Sequence, residues 1–276
     1  MRAIDRIKLG ISSYTFPWAI GFPGARPDSP LEPLQLLEKA RELGVGLVQF
    51  GPNLPLDRLP EKELRELVKH ADSWKIDLEI GTQGIDCEHL RDQIRFANRI
   101  GAILLKTTLE RADGQMVMQA EISNQLRAVI NTLEEEELSL AIDNSRIPAH
   151  ELNAELGSLR SPRLGVALDT ANPLTLPQSW QISIRVLGHR TLSLHIKDFV
   201  VLPEAHGMGF SVHGCPAGQG QLNLPWIVDS FASLRIKPSA ILESWTPEQK
   251  NLQETIALEN AWAKQGVDYA RRFIPD

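Results

Sequence analysis

Short apolar runs alternate along this chain with longer stretches of amphipathic periodicity. The runs lie near 8–13 (KLGISS), 47–50 (LVQF), 77–81 (DLEIG), 103–107 (ILLKT), 138–143, 164–169, 191–196 and 239–243. Each is brief and rich in Leu, Ile, Val or Ala, as expected of a strand covered on both faces. Helical periodicity fills the intervals at 33–43, 61–74, 87–100, 119–137, 149–159, 177–187, 225–235 and 248–271. In RDQIRFANRIGA, Ile94, Phe96, Ala97 and Ile100 fall mostly on one helical face, and Gly101 suits a C-terminal stop. Thr246-Pro247-Glu248-Gln249 reads as the start of the last helix, with Thr246 as cap and Gln249 closing a capping box. Eight strand signals alternating with eight helix signals predict an α/β protein, a closed (β/α)8 TIM barrel formed by residues 1–276 as one domain. An open doubly wound sheet would also alternate, but it usually carries a Gly-rich phosphate turn after its first strand, and LGISSYTF has none.

Two connections are long for a compact domain. Residues 14–32 hold four Pro and two Gly, and residues 199–224 hold five Gly and two Pro. Both follow strands, so in a barrel both lie at the carboxyl end, where such proteins build their sites. The run Glu134–Glu137 reads as the solvated end of a helix.

Composition narrows the function classes. The net charge of -6 opposes a nucleic-acid surface. The two cysteines, Cys87 and Cys215, form no C-x-x-C pair, which fits a reducing compartment. The opening MRAIDRIKLGISSY lacks the apolar core of a signal peptide, and no apolar run reaches membrane-spanning length. The expectation is a cytoplasmic protein. Neither a nucleic acid nor a membrane is the expected partner, and a homo-oligomer is compatible with this pattern.

The candidate chemistry sits at strand ends. LSLAID ends at Asp143, LGVALD at Asp169, LSLH at His195 and AILE at Glu243. Convergence of three carboxylates and one imidazole calls for a positive charge between them, most simply a divalent cation. An O3N donor set suits Mn²⁺ first, with Mg²⁺, Co²⁺ or Zn²⁺ as alternatives. Each residue also has a plainer reading: Asp169 as a helix cap, His195 as a hydrogen-bonded core residue, Glu243 as the partner of a lysine.

Lys197 lies two residues past His195 and so shares its strand face. It serves either a developing oxyanion or a salt bridge. Lys106 raises the same question, and Glu79 is a candidate to neutralise one of the two lysines. Asn172 is placed to bind a substrate hydroxyl. Tyr14, Phe16 and Trp18 after strand one, with Trp245 after strand eight, form either an apolar wall for a sugar or ordinary loop packing. His206 and His213 lie in the seventh connection, where histidines are mostly exposed. Gly218-Gln219-Gly220 makes no dinucleotide fingerprint, since Asn stands at 223.

At LGISSYTF, LLEKARELGVGLVQF, SLAIDNS, GVALDTAN, SLHIKDF, GQGQLN and AILES the chain resembles the xylose isomerase-like TIM-barrel superfamily. That group includes sugar isomerases and epimerases, dehydratases and endonuclease IV. The resemblance implies that Asp143, Asp169, His195 and Glu243 bind the metal, with Glu243 and Asp143 as the acid/base pair. The chain departs from the pattern at Asp143, where Glu is usual, at Asn172, where His is usual, and at Gln49, where Glu is usual. The resemblance therefore implies a divalent-metal-dependent isomerase or epimerase of a small sugar or sugar phosphate, working through an enediolate with Glu243 as first base. Its alternative is decarboxylation of a 3-oxo sugar acid, with Lys197 or Lys106 binding the carboxylate. SSYTFPWAIG and QFGPNLPL loosely resemble members acting on branched sugar acids. A non-catalytic sugar-binding barrel is the reading from a different class. Endonuclease IV chemistry needs more histidines at the strand ends than the seven of this chain provide.

Overall fold

The computed structural model describes residues 7–110, 115, 117–145, 147–176 and 178–275. The start of the chain, on which the signal-peptide expectation rests, and Pro177, the expected first residue of the periodic stretch 177–187, lie outside them. Eight parallel strands close into a barrel: β1 (Lys8–Ser12), β2 (Leu47–Phe50), β3 (Asp77–Gly81), β4 (Leu104–Thr107), β5 (Leu140–Asp143), β6 (Leu164–Asp169), β7 (Thr191–Ile196) and β10 (Ser239–Leu242). Closure is made by β1 on β10, with Leu9 opposite Ala240 and Ile11 opposite Leu242. The predicted (β/α)8 barrel is therefore the fold. Among the described residues no helix is long and apolar enough to cross a membrane.

The helices that cover the strands are α1 (Pro17–Ile20), α2 (Pro33–Leu43), α3 (Glu61–Trp74), α4 (Cys87–Arg99), α5 (Gln119–Arg127), α6 (Ile130–Glu135), α7 (Ala149–Leu159), α8 (Trp180–Leu187), α9 (Leu224–Leu234) and α10 (Leu252–Ala270). Their apolar faces pack on the outward side chains of the strands, as in α4, where Leu90, Ile94 and Ala97 are buried. Gly101, at φ +71°, follows the end of α4 in a left-handed conformation that suits glycine. Glu134, Glu135 and Glu137 are exposed, as a solvated helix end requires.

Two expectations about the helices need correction. The predicted helix over 119–137 is broken, because Val129 donates to Leu126 three residues back and the ladder tightens there. That turn lets Leu126, Val129 and Leu133 all reach the core. The last helix starts at Leu252 with Asn251 as its cap, accepting from the Glu254 amide. Thr246 cannot serve, since its carbonyl is bound by the Trp18 indole N–H and residues 246–251 are held in a non-helical path. The seventh connection holds an antiparallel hairpin, β8 (Phe199–Pro203) with β9 (Phe210–Gly214).

The inside of the barrel is unusually polar. Gln49, Glu79, Ser193 and Ser239 are buried there. Glu79 accepts from the Gln49 amide at 2.8 Å and from the Ser193 hydroxyl at 3.5 Å. Neither lysine is its partner, so its expected role as their counter-charge is corrected. Its position is one strand layer below the lysines. Burial pushes its carboxyl up to about 7, against the lowering effect of Ser239, Gln49 and Ser193.

Candidate active site

Parallel closure brings the carboxyl ends of all eight strands to one mouth. Asp169 and His195 are register partners on β6 and β7, and Ile241 of β10 pairs with His195. Glu243, just past β10, donates its amide to the Ile196 carbonyl. Ligand atoms of Asp169, His195 and Glu243 consequently lie within 4.8 Å of one another, all buried. His195 Nδ1 is 3.3 Å from Glu243 Oε1 and 3.9 Å from Asp169 Oδ2.

Asp143 stands beside this trio but outside it. Its Oδ2 is 2.9 Å from Lys106 Nζ, and its Oδ1 accepts from the Ser145 amide and, at 3.4 Å, from Asn172 Nδ2. An aspartate is one methylene shorter than a glutamate, and here its charge is taken up by Lys106.

Lys197 Nζ lies 3.0 Å from Asp169 Oδ2 and 3.0 Å from Glu243 Oε2, and 3.4 Å from Asn172 Oδ1. It also stands 5.1 Å from the centre of the Trp245 ring. The salt-bridge reading and the site reading of Lys197 thus describe one arrangement. Asn172 connects the two ion pairs, Lys106–Asp143 and Lys197–Asp169–Glu243.

The electrostatics follow from burial and pairing. Burial alone would raise the Asp143 carboxyl, but Lys106 and His195 hold it well below the usual carboxylate range. Glu243 is likewise raised by burial and lowered further by Lys197, His195 and Lys106, with a net downward shift. Burial works against both ammonium groups, yet Asp143 and Glu243 raise Lys106, and Asp169 and Glu243 raise Lys197. Burial lowers His195 despite the acidic neighbours, so its imidazole is neutral at pH 7.

The residues fit a metal. Both ring nitrogens of His195 are buried without a hydrogen-bond partner among the described residues, a costly state for an imidazole that nothing ligates. Carboxylate oxygens face one of those nitrogens, and an N/O donor set of this kind is what first-row divalent ions take. Asp169, His195 and Glu243 would hold such an ion.

The aromatic residues divide. Tyr14 is half-buried at the mouth, and burial pushes its phenol up, with Lys106, Glu243, Lys197 and Asp143 all acting on it. Trp245 is exposed over Lys197. Trp18 is half-buried and donates its indole N–H to the Thr246 carbonyl. Phe16 is 1% exposed and packs in the core beneath Lys39. His206 and His213 are exposed on the hairpin.

Two contributors escape a sequence reading. Ser12 donates its hydroxyl to Glu243 Oε1 at 3.0 Å. Asp198 accepts the backbone N–H groups of Phe199, Gly218, Gly220 and Leu222, and so ties the Gly-rich turn to the end of β7 beside Lys197. The Lys-Asp pair followed by GQGQLN was the available signal, but the 20-residue separation hides the contact.

A closed barrel with buried ionic groups gathered at the carboxyl ends of its strands is the construction used by barrel enzymes. The chain belongs to the xylose isomerase-like TIM barrel family, whose profile matches residues 37–273. It is 28% identical over 262 residues to the 3-oxo-isoapionate decarboxylase of Pectobacterium atrosepticum, covering 95% of this chain and 94% of that protein. Among solved structures it resembles D-psicose 3-epimerase from Clostridium cellulolyticum, at 15% identity and a TM-score of 0.72, covering 97% of this chain and 99% of that one. A xylose isomerase-like TIM barrel protein from Mycobacterium smegmatis, in complex with magnesium, is similar at 14% identity and a TM-score of 0.69, covering 96% and 97% of the two chains. The chain is thus similar in fold to an epimerase and in sequence to a decarboxylase.

Proposed function

We propose that this chain is a divalent-metal-dependent decarboxylase of a 3-oxo sugar acid. The observation that carries the reading is the pair of buried ammonium groups, Lys106 and Lys197, set among the carboxylates. Around a neutral His195, three carboxylates against two ammonium groups leave one excess negative charge. A divalent cation turns that into one excess positive charge, which a monoanionic substrate balances and a neutral ketose does not. The end-to-end similarity to 3-oxo-isoapionate decarboxylase supports the same reading.

When bound by Asp169, His195 and Glu243, with Asp143 as the candidate fourth ligand, the cation supplies Lewis-acid stabilisation of negative charge on substrate oxygens, and Mn²⁺ is the first candidate. The rest is the work of side chains. Lys106 pairs with the substrate carboxylate as it enters. Asn172, bonded to both ion pairs, orients a hydroxyl. The bond between C1 and C2 breaks, its electron pair passes into the C2–C3 bond and onto the 3-oxo oxygen, and CO₂ leaves. Lys197 holds the proton that C2 then takes up. Tyr14 and Trp245 cover the mouth and limit access of water.

Isomerisation or epimerisation of a small sugar, with Glu243 and Asp143 exchanging the proton, is the second reading. It is favoured by the presence of both carboxylates at the mouth, and weakened by the lysine each already holds. The test is a substrate screen with Mn²⁺ in D₂O, followed by NMR. Loss of CO₂ from a 3-oxo sugar acid is the expected result. C–H exchange in ketoses or sugar phosphates without CO₂ release would replace this reading by the second.

A further inference from the structure

Glu259 lies on α10, outside the cluster of strand-end residues, and is 0% exposed. Its carboxylate points into the connection that follows β1. Oε1 accepts the Trp18 amide at 2.8 Å and Oε2 accepts the Ala19 amide at 3.0 Å. These are N–H groups in the first turn of α1, which have no partner within so short a helix. No ion pair to Glu259 is present among the described residues. Lys39 of α2 is the charged side chain that faces it, but the Lys39 ammonium is bonded to Asn260 at 2.6 Å and lies over the Phe16 ring. A fully buried carboxylate held by two backbone amides is a costly element to retain for packing alone.

The segment it holds leads directly to the site. Tyr14 lies four residues before Trp18 and faces the buried charges. The Trp18 indole donates to the Thr246 carbonyl, next to Trp245, and the Tyr14 carbonyl accepts the Ser244 amide. The connections after β1 and β10 are thereby stitched into one wall, anchored from behind at Glu259. We infer that Glu259 is a positioning residue: through the Trp18 and Ala19 amides it locks the 14–20 segment in the place that presents Tyr14 and Trp245 to the substrate. This role rests on the mouth of the barrel being the active site, as proposed above, but not on which reaction occurs there.

Burial pushes the Glu259 carboxyl up to about 7, against the Trp18 and Ala19 amides and Lys39, which pull it down. The lock therefore titrates near neutrality. Freeing the segment returns the carboxyl to water and to its ordinary range, so the locked state binds the proton more tightly, and holding the mouth with this segment is favoured on the acid side of that point.

Amide hydrogen exchange of the full-length protein, corrected for the intrinsic pH dependence of exchange, tests this without any substrate. In the native chain, peptides covering 14–20 should become about tenfold less protected between pH 6 and pH 8, while peptides from β5 stay unchanged. Glu259→Gln should show the looser state at both pH values, in the 14–20 and 244–250 peptides only, and Glu259→Asp should restore part of the protection. If CO₂ release is found, Glu259→Gln should raise KM several-fold more than it lowers kcat. Unchanged protection of 14–20 at pH 6 in Glu259→Gln, or loss spread evenly over the barrel, overturns the inference. If that variant does not fold, a flat protection profile of native 14–20 from pH 6 to pH 8 overturns it equally. A failure of the decarboxylase reading would leave the exchange pattern intact, so the two can fail separately.

Discussion

At the residue scale, each buried charge of the site has a nearby counterpart, and removing one partner exposes the cost of the other. Lys106→Met keeps much of the side-chain volume but leaves Asp143, 1% exposed, without its ammonium. Breaking a buried pair in this way costs about 3 kcal/mol or more. Urea unfolding should show that loss, and the decarboxylase reading further requires a KM at least tenfold higher for an anionic substrate. Glu243→Gln conserves shape, keeps an acceptor for Ser12 and removes a ligand charge. It should lower turnover by about 10²–10⁴-fold, in the range of a lost acid–base or electrostatic group, and reduce metal retention on dialysis. Native turnover at saturating Mn²⁺ would remove Glu243 from the mechanism.

At the scale of elements, the connections at the mouth are rigid because backbone groups are tied to single carboxylates. Asp198 does this for the turn after β9, taking four backbone N–H groups. Asp198→Ala orphans them, and buried donors without partners cost roughly 1–3 kcal/mol each where water cannot replace the acceptor. Faster proteolysis within 199–222, at unchanged protection of the barrel strands, is the expected signature. The hairpin base has a second constraint. A Cβ on Gly214 would lie 2.2 Å from the Trp245 carbonyl oxygen, so Gly214→Ala must push the hairpin off the strand-ten connection. Its effect should appear as weaker substrate binding more than as lower stability. A thermal midpoint that falls with binding untouched would contradict this placement of the hairpin.

At the scale of the whole molecule, two sets of buried carboxyls set opposing pH dependences. Glu79 and Glu259 are both raised to about 7 by burial. In the unfolded chain they release their protons near 4.5, so folding takes up protons between about pH 4.5 and pH 7. Stability falls as pH rises through that window, by an amount on the order of 3 kcal/mol for each group. Asp143 and Glu243 are lowered, so the stability they contribute is present above the unfolded carboxyl range and is lost as pH falls below it. Together these place the stability maximum on the acid side of neutrality. Urea midpoints measured from pH 4 to pH 8 should show a maximum near pH 5, and Glu79→Gln should flatten the decline toward pH 7. A midpoint that rises steadily to pH 8 would show that the Glu79 carboxyl is not protonated in the barrel.

Periodicity determined the barrel, because alternating short apolar runs and amphipathic stretches satisfy their burial in few ways, and parallel strands force every strand end to one side. That geometry made Asp143, Asp169, His195 and Glu243 readable as one mouth before any coordinates. What periodicity could not decide was which neighbours share a charge. Lys106 draws Asp143 away from the trio, Lys197 bridges Asp169 and Glu243, and Glu79 turns to Gln49, because these pairings depend on side-chain length and strand register at the ångström level. The loops were least legible. Phe16 and Trp18 look alike as aromatic residues after a strand, yet one is core and the other is stitched to the opposite connection. Thr246 lost the helix cap to Asn251 through a contact with Trp18, 228 residues away. Local sequence carries the patterns that repeat within one element; contacts between distant loops are settled only when the closed barrel brings them to the same rim.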